Sequence, residues 1–152
     1  MEAAQKSFIS STFWTERIGP AAALKSLEVM RREKSWEQIT RTGISIRKGW
    51  QSLADTHGLE IEHWGLPALA GFSFKSAHTL AYKTLITQEM LKKGYLAGNS
   101  VYVCLEHTPA LVKGFFDALD PIFGKIKECE IGRDVMSLLK GPICHSAFRR
   151  LN

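Results

Sequence analysis

Hydroxyl side chains cluster near the start of the chain, directly ahead of a predicted helix. They follow the short apolar pair Phe8-Ile9 and comprise Ser10, Ser11, Thr12 and Thr15. The first turn of a helix has unpaired backbone N–H groups and the positive end of the helix dipole, so hydroxyls and amides at such a junction suit an anion. The alternative is purely local, because the same residue types are frequent helix caps and turn formers.

The cysteines and histidines lack the spacing of known metal or redox sites. Cys104, Cys129 and Cys144 are an odd set with no CxxC pair, and the five histidines form no HExxH motif. Three unpaired cysteines fit free thiols in a reducing cytoplasm better than disulfides. We therefore expect a cytoplasmic protein with no structural metal.

The charge balance is basic, with a formal net charge of +5 and a pI of about 9.2. Such a balance suits either an anionic partner or a solvated basic surface. The basic residues are scattered, and no RNA-binding signature or zinc-finger spacing is present, so we expect no nucleic-acid partner. No apolar run approaches the ~20 residues of a membrane span, and the first residues have no apolar secretory core, so we expect no membrane association.

Hydrophobic periodicity outlines helices and strands over the whole chain. We predict helices at residues 18–33, 35–57, 77–93, 109–128 and 133–139, and strands at 59–64, 69–74 and 101–104. The two runs at 59–74 flank the turn signal Gly65-Leu66-Pro67, so they read as antiparallel neighbours. The predicted class is α+β, with helices packed on one face of a small, mostly antiparallel sheet.

Several details of the helices are also predicted. The first helix carries an apolar stripe of Ala23, Leu24, Leu27 and Met30. The second begins with Ser35 as N-cap and Gln38 three residues later, as in a capping box. Gly43 and Gly49 weaken the continuity of that helix, and Asp120-Pro121 is a point where the helix at 109–128 could divide.

Two stretches carry a resemblance to a known family. The run Ser11-Thr12-Phe13-Trp14-Thr15-Glu16-Arg17-Ile18-Gly19-Pro20-Ala21-Ala22 and the ending from Gly141 to Asn152 resemble class III pyridoxal-phosphate aminotransferases. The branch around glutamate-1-semialdehyde 2,1-aminomutase is the most similar. The resemblance runs over essentially the whole chain but covers only the last third of a family member. It implies the small C-terminal domain of a fold-type-I pyridoxal-phosphate enzyme.

The resemblance also implies a cofactor site. Family members are homodimers in which pyridoxal 5'-phosphate joins a lysine of the large domain, and no lysine of this sequence lies in a matching motif. A threonine at the position of Thr12 gives its hydroxyl and N–H to the cofactor phosphate across the dimer interface, with Ser11 as a weaker companion. This chain departs from the family afterwards, because Phe13-Trp14-Thr15-Glu16 replaces the common Ser-Gly-Asn-Pro run.

Substrate-binding residues follow from the same resemblance. Trp14 lines the substrate pocket or the dimer interface, or is part of the core. Many relatives hold a substrate carboxylate with an arginine, whose planar fork matches it bidentately. Arg149 and Arg150 near the end of the chain are the candidates, with Arg17 and His145 as further ones.

The sequence thus predicts a fragment of a larger enzyme. Residues 1–17 are interpreted as the tail of the large domain with the phosphate segment, 18–34 as a connecting helix, and 35–152 as the small domain. The complete enzyme would transfer an amino group between small-molecule donors and acceptors, and the isolated chain would be inactive. The alternative is a non-catalytic binding or interaction domain that kept this fold. Met1 is either a true start or an internal methionine.

Overall fold

The computed structural model describes residues 16–146, and the chain divides into two compact units between Ser35 and Trp36. The described helices and strands are α1 (Ile18–Glu33), α2 (Ser35–His57), β1 (Ile61–Leu66), β2 (Leu69–Phe74), α3 (Thr79–Lys92), β3 (Ser100–Tyr102), α4 (Pro109–Glu130) and a 3₁₀ helix (Val135–Leu138). Every element predicted between residues 18 and 139 is present.

Helix α1 belongs to the first unit and has no buried residue. It ends at Lys34, whose left-handed backbone (φ 47°) lets its N–H donate to the carbonyl of Arg31. The predicted apolar stripe is on the helix but lies on the surface, because Leu24 is 70% exposed and Leu27 61%. Periodicity therefore identified the helix but did not show whether its stripe is covered.

The three strands form one antiparallel sheet in the order β1-β2-β3, as the α+β prediction requires. The β1–β2 turn is formed by Pro67 and Ala68, two residues beyond the predicted start of the turn. Alternation along the strands divides the sheet into two faces. One face presents the buried Ile61, Ala70, Phe72 and Phe74, and the other presents the exposed Trp64, Leu66, Leu69 and Tyr102.

Helices α2, α3 and α4 cover the buried face of the sheet with large side chains. The ring centroid of Trp50 on α2 lies 4.9 Å from that of Phe72, and the ring centroid of Phe123 on α4 lies 5.9 Å from that of Phe72. Tyr82 on α3 meets Phe74 edge-on at 5.5 Å. These buried aromatic pairs place the core of the second unit between the sheet and the three helices.

Helix α2 is continuous through both of its internal glycines, although their low propensity suggested a break. A Cβ on Gly43 would lie 2.5 Å from the carbonyl carbon of Pro67, and one on Gly49 would lie 2.5 Å from Cε2 of Phe116 and closer still to Cζ. Each glycine therefore permits a close approach to α2, by the β1–β2 turn in one case and by α4 in the other. Gly58 (φ 61°) follows the last helical residue, so the helix ends where the predicted range of 35–57 ends.

The capping box predicted at the start of α2 is not formed. Gln38 Nε2 donates to the carbonyl of Leu105, 2.9 Å away, instead of reaching back to Ser35, which is the first helical residue. A capping box is a local device, and this glutamine has a tertiary partner instead.

Helix α4 is also continuous, although Asp120-Pro121 is a sequence at which it could divide. Pro121 is exposed, so the carbonyl of Asp117 that loses its helical donor lies on the solvent side of the helix. The neighbouring Ile122 and Phe123 are buried and keep the helix in place. Packing thus outweighs the local cost of the proline.

Glu89 on α3 anchors that helix to α4 through a mostly buried carboxylate, 14% exposed. It accepts hydrogen bonds from Lys92, from Gln88 at 2.9 Å and from Lys125 of α4 at 3.0 Å. Burial raises the pKa of this carboxyl, but the hydrogen bonds from Lys92, Gln88 and Lys125 outweigh burial and lower the pKa to about 2. The ionised form is therefore the one that stabilises the fold.

We expect Glu89→Gln to destabilise the protein at neutral pH by about 2 kcal/mol, allowing for the solvent exposure of both lysines. The folded pKa of about 2 lies below the ordinary 4.5, so this stability is complete above pH 4.5 and is lost as the pH falls towards 2. Urea unfolding between pH 7 and pH 2 measures both effects. Glu60→Gln, whose carboxylate is 3.9 Å from Lys75 and largely exposed, is the control. Equal stability of the Glu89→Gln and original chains at pH 7 would contradict this account.

Candidate functional site

The site residues predicted from the sequence lie outside the described residues. These are Ser11 and Thr12 for the cofactor phosphate, and Trp14, Arg149 and Arg150 for the substrate. Two further candidates are described. Arg17 is the exposed N-cap of α1 and makes no side-chain capping bond, and His145 is exposed in the segment after the 3₁₀ helix. The predicted roles of all seven residues remain predictions.

The first turn of α1 has the chemistry of an anion-accepting helix start. It contains no acidic residue, and Pro20 removes one donor from it. The N–H of Ala21 is the first helical donor and binds Arg17 O at 3.0 Å, whereas the N–H groups of Ile18 and Gly19 come before it and have no acceptor within the helix. This start directly follows the hydroxyl-bearing segment in the sequence, which is the order that the phosphate prediction needs.

The described residues do not form a pocket that fits pyridoxal phosphate. None of the lysines in residues 16–146 is buried. Lys127 Nζ donates to the carbonyl of Gly58 at 2.9 Å, and Lys125 is paired with Glu89. A lysine that bonds covalently to the cofactor needs an enclosed site with a free amine, so we derive no chemical step through the cofactor here.

A large concave surface lies on the second unit between α2 and the first half of α4. It is an open groove of about 850 Å³. The α2 side contributes residues three and four positions apart: Gln38, Arg41, Thr42, Ser45, Lys48, Gly49, Ser52 and Leu53. The opposite side contributes His107, Pro109, Val112, Lys113 and Phe116. The groove was not predicted from the sequence, although the three- and four-residue spacing of these α2 residues places them on one helix face and was a signal for it.

The groove combines an apolar floor with basic edges. Leu53, Val112 and Phe116 form the floor, and Arg41, Lys48 and Lys113 are exposed along its sides. His107 accepts a hydrogen bond at Nδ1 from the backbone N–H of Cys104, 2.9 Å away, so a neutral ring carries its proton on Nε2. Among the described residues that line it, none is acidic. Such a surface can bind a ligand that is apolar on one side and anionic at its margins.

A polar cluster at the C-terminal end of α4 joins three elements. Glu130 accepts hydrogen bonds from Tyr82 at 2.6 Å and from Ser76 at 2.7 Å. The bond from Tyr82, and then the bond from Ser76, hold the pKa of Glu130 below its usual value. Burial, and then the hydrogen bond to Glu130, raise the pKa of Tyr82 far above its usual value, so this hydroxyl keeps its proton. The cluster holds α3, α4 and the end of β2 together.

Residues 16–146 contain neither a cluster of metal ligands nor a membrane-spanning helix. Over residues 16–146, no three His, Cys, Asp or Glu side chains lie close enough to hold a metal ion. Cys104 is exposed, Cys129 buried and Cys144 half-buried, and none is in a disulfide. No helix in this part of the chain is long and apolar enough to cross a membrane.

Comparison with known proteins finds relatives among the aminotransferases, although no family model matches. The chain is 24% identical to an aminopentol aminotransferase of Sphingopyxis macrogoltabida, over 93% of the chain and 33% of that protein. It is 23% identical to a 3-aminobutyryl-CoA aminotransferase of Cloacimonas acidaminovorans, over 82% of the chain and 31% of that protein. A glutamate-1-semialdehyde 2,1-aminomutase of Neisseria meningitidis is 28% identical over 62% of the chain and 26% of that protein.

A solved structure has the same fold. It is the pyridoxal-phosphate internal aldimine form of the FumI protein of Sphingopyxis sp. MTA144, matched with a TM-score of 0.70 at 21% identity. The match covers 91% of this chain and 34% of that one. The chain therefore spans about a third of the length of the relatives it matches. The predicted resemblance to the C-terminal part of class III aminotransferases, including the aminomutase branch, is confirmed, as is the predicted fold.

Proposed function

We propose that this chain, similar to the C-terminal part of class III aminotransferases, is the small domain and cofactor-phosphate segment of such an enzyme. The supporting observation is one of coverage: nearly the whole chain matches about a third of several aminotransferases. The activity would be amino-group transfer between small molecules or within one of them, in a cytoplasmic homodimer.

The chain's own contribution to the cofactor site would be to hold the phosphate. Bound pyridoxal phosphate supplies an electron sink for the bonds at the amino-bearing carbon. The Thr12 hydroxyl and N–H, with the Ser11 hydroxyl beside them, would donate hydrogen bonds to the phosphate dianion. The start of α1 follows in the sequence and carries the positive end of a helix dipole. The catalytic lysine would come from outside this sequence.

The substrate would be recognised through three further residues of this chain. Arg149 and Arg150 offer guanidinium groups that suit a substrate carboxylate, and Trp14 offers an apolar wall. Their positions at opposite ends of the sequence mean that only folding or dimer assembly could bring them to one site. The proposal leaves the identity of the amino donor and acceptor open.

The mass and cofactor content of the native polypeptide test this function. We expect the polypeptide that carries this sequence in its cell to be well above 17.0 kDa and to release pyridoxal phosphate on denaturation. A 17.0 kDa polypeptide that contains no pyridoxal phosphate, and gains none when mixed with the other proteins of its cell, would overturn the proposal.

We expect Thr12→Val to weaken cofactor binding in the complete enzyme by about 10- to 100-fold, because a hydrogen bond to a charged phosphate is worth about 1.5–3 kcal/mol. Equilibrium dialysis of the native polypeptide against pyridoxal phosphate measures this. Thr40→Val, at an exposed position of α2, makes the same change away from the predicted site and should leave binding unaltered. If Thr12→Val left the affinity for the cofactor unchanged, Thr12 would not be a phosphate-binding residue.

The second candidate is a non-catalytic interaction domain, and the outer face of the sheet favours it. Leu66, Leu69 and Tyr102 form one row across the three strands, with Trp64 beside them, and all four are exposed. Exposed apolar patches of this kind commonly mark binding surfaces. A 17.0 kDa native polypeptide that associates with itself or another protein without cofactor would support this second function.

A further inference from the structure

The groove between α2 and α4 has the length of a short helix. Its lining on α2 runs from Gln38 to Leu53, which at 1.5 Å per residue is about 22 Å, or about four helical turns. This side of the groove is formed by a single uninterrupted helix, because α2 is continuous through Gly43 and Gly49. The end of the Phe116 ring can approach α2 this closely only because Gly49 has no side chain, and this contact closes the floor.

The charges at the edges of the groove are available to a partner. Lys48 has no ion-pair partner within the described residues. Arg41 is 3.8 Å from Glu37 and Lys113 is 2.5 Å from Asp117, but both are exposed neighbours on a single helix. Exposed pairs of this kind contribute little and exchange readily. An anionic partner would therefore meet cations on both sides of the apolar floor.

We propose that this groove binds an acidic amphipathic helix of another protein. An apolar face of such a helix would pack on Leu53, Val112 and Phe116, and its carboxylates would pair with Lys48 and Lys113. A second copy of this chain is a poor occupant, because α1, whose apolar stripe is exposed, has three basic and two acidic residues. The apolar floor also distinguishes the groove from a surface that binds nucleic acid by charge alone.

The test measures fluorescence anisotropy of a labelled peptide with the complete native polypeptide. The peptide has 16 residues, with leucines at helical spacing on one face and glutamates beside them. A second peptide replaces every glutamate with lysine. We expect saturable, salt-sensitive binding of the acidic peptide and at least about tenfold weaker binding of the basic one.

Two groove variants and one matched control separate charge from shape. Lys48→Glu with Lys113→Glu should weaken binding of the acidic peptide by about tenfold or more, and Ser45→Trp should block the groove without changing charge. Lys140→Glu, an exposed lysine outside the groove, should leave affinity within about twofold.

The proposal is overturned by absence of binding to the acidic peptide, or by binding that Ser45→Trp leaves intact. It is also overturned if a single-stranded RNA of equal charge binds as tightly as the acidic peptide and Ser45→Trp weakens the binding of neither. The groove would then act only as a basic surface. None of these outcomes depends on cofactor content, so the groove and the proposed enzymatic function can fail separately.

Discussion

Replacing Phe123 with alanine is expected to destabilise the protein by about 4 kcal/mol, the largest effect of any single substitution considered. Phe123 is completely buried on α4. Its ring centroid lies 5.9 Å from that of Phe72, 5.3 Å from that of Phe74 and 6.5 Å from that of His57. It thus joins α4 to β2 and to the end of α2 at once. Alanine would remove the ring from all three contacts and leave a cavity that these close-packed neighbours fill only in part.

Urea unfolding at neutral pH measures this effect. Leu111→Ala is a suitable control, because Leu111 is a partly exposed apolar residue on the same helix and its loss should cost less than about 1 kcal/mol. Both variants truncate an apolar side chain on the same helix, so they differ mainly in how deeply that side chain is buried. A loss of stability in Phe123→Ala no greater than that in Leu111→Ala would mean that the aromatic cluster is not the core.

Gly43→Ala is expected to have the second largest effect, a destabilisation of about 3 kcal/mol. The new Cβ would lie 2.5 Å from the carbonyl carbon of Pro67 and closer still to its oxygen. The obstacle is backbone in a two-residue turn, which cannot rotate away as a side chain would. The variant must move either the turn or α2, and Arg47, which donates to the carbonyls of Trp64 and Gly65, would be displaced from β1 as well.

Gly124→Ala provides the matched control within the same unit. Gly124 is also inside a helix, but a Cβ there would meet its nearest neighbour, His57 Cε1, at an ordinary 3.5 Å. Because alanine favours helix over glycine, this variant should be as stable as the original or more stable by up to about 1 kcal/mol. If both alanines had the same effect on urea unfolding, the close approach of the turn to α2 would be wrong.

Local pattern was sufficient for the elements of this protein. Periodicity predicted the helices and both long strands, and Gly58 and Gly94, both with positive φ, lie where two of the predicted helices end. These features depend on neighbours along the chain, which a sequence displays directly. The resemblance to class III aminotransferases also rested on sequence, and the comparisons confirm it.

The failures of prediction share one physical cause, which is that tertiary contacts outweigh local preferences. Gln38 has a carbonyl partner 67 positions along the chain, so no capping box forms. Gly43 and Gly49 weaken a helix in isolation, yet each lies where another segment must come close. Pro121 is tolerated because its helix is held by buried neighbours.

The two candidate sites show the same contrast between local sequence and tertiary contacts. The sequence by itself determined the residue types of the predicted phosphate segment, Ser11 and Thr12, which stand next to one another before a helix. Only the tertiary structure decided the groove, because Lys48 and Lys113 are 65 positions apart and share a surface only when α4 packs beside α2. Chain neighbours fix local chemistry, whereas charges from distant segments become one site only through packing of the core.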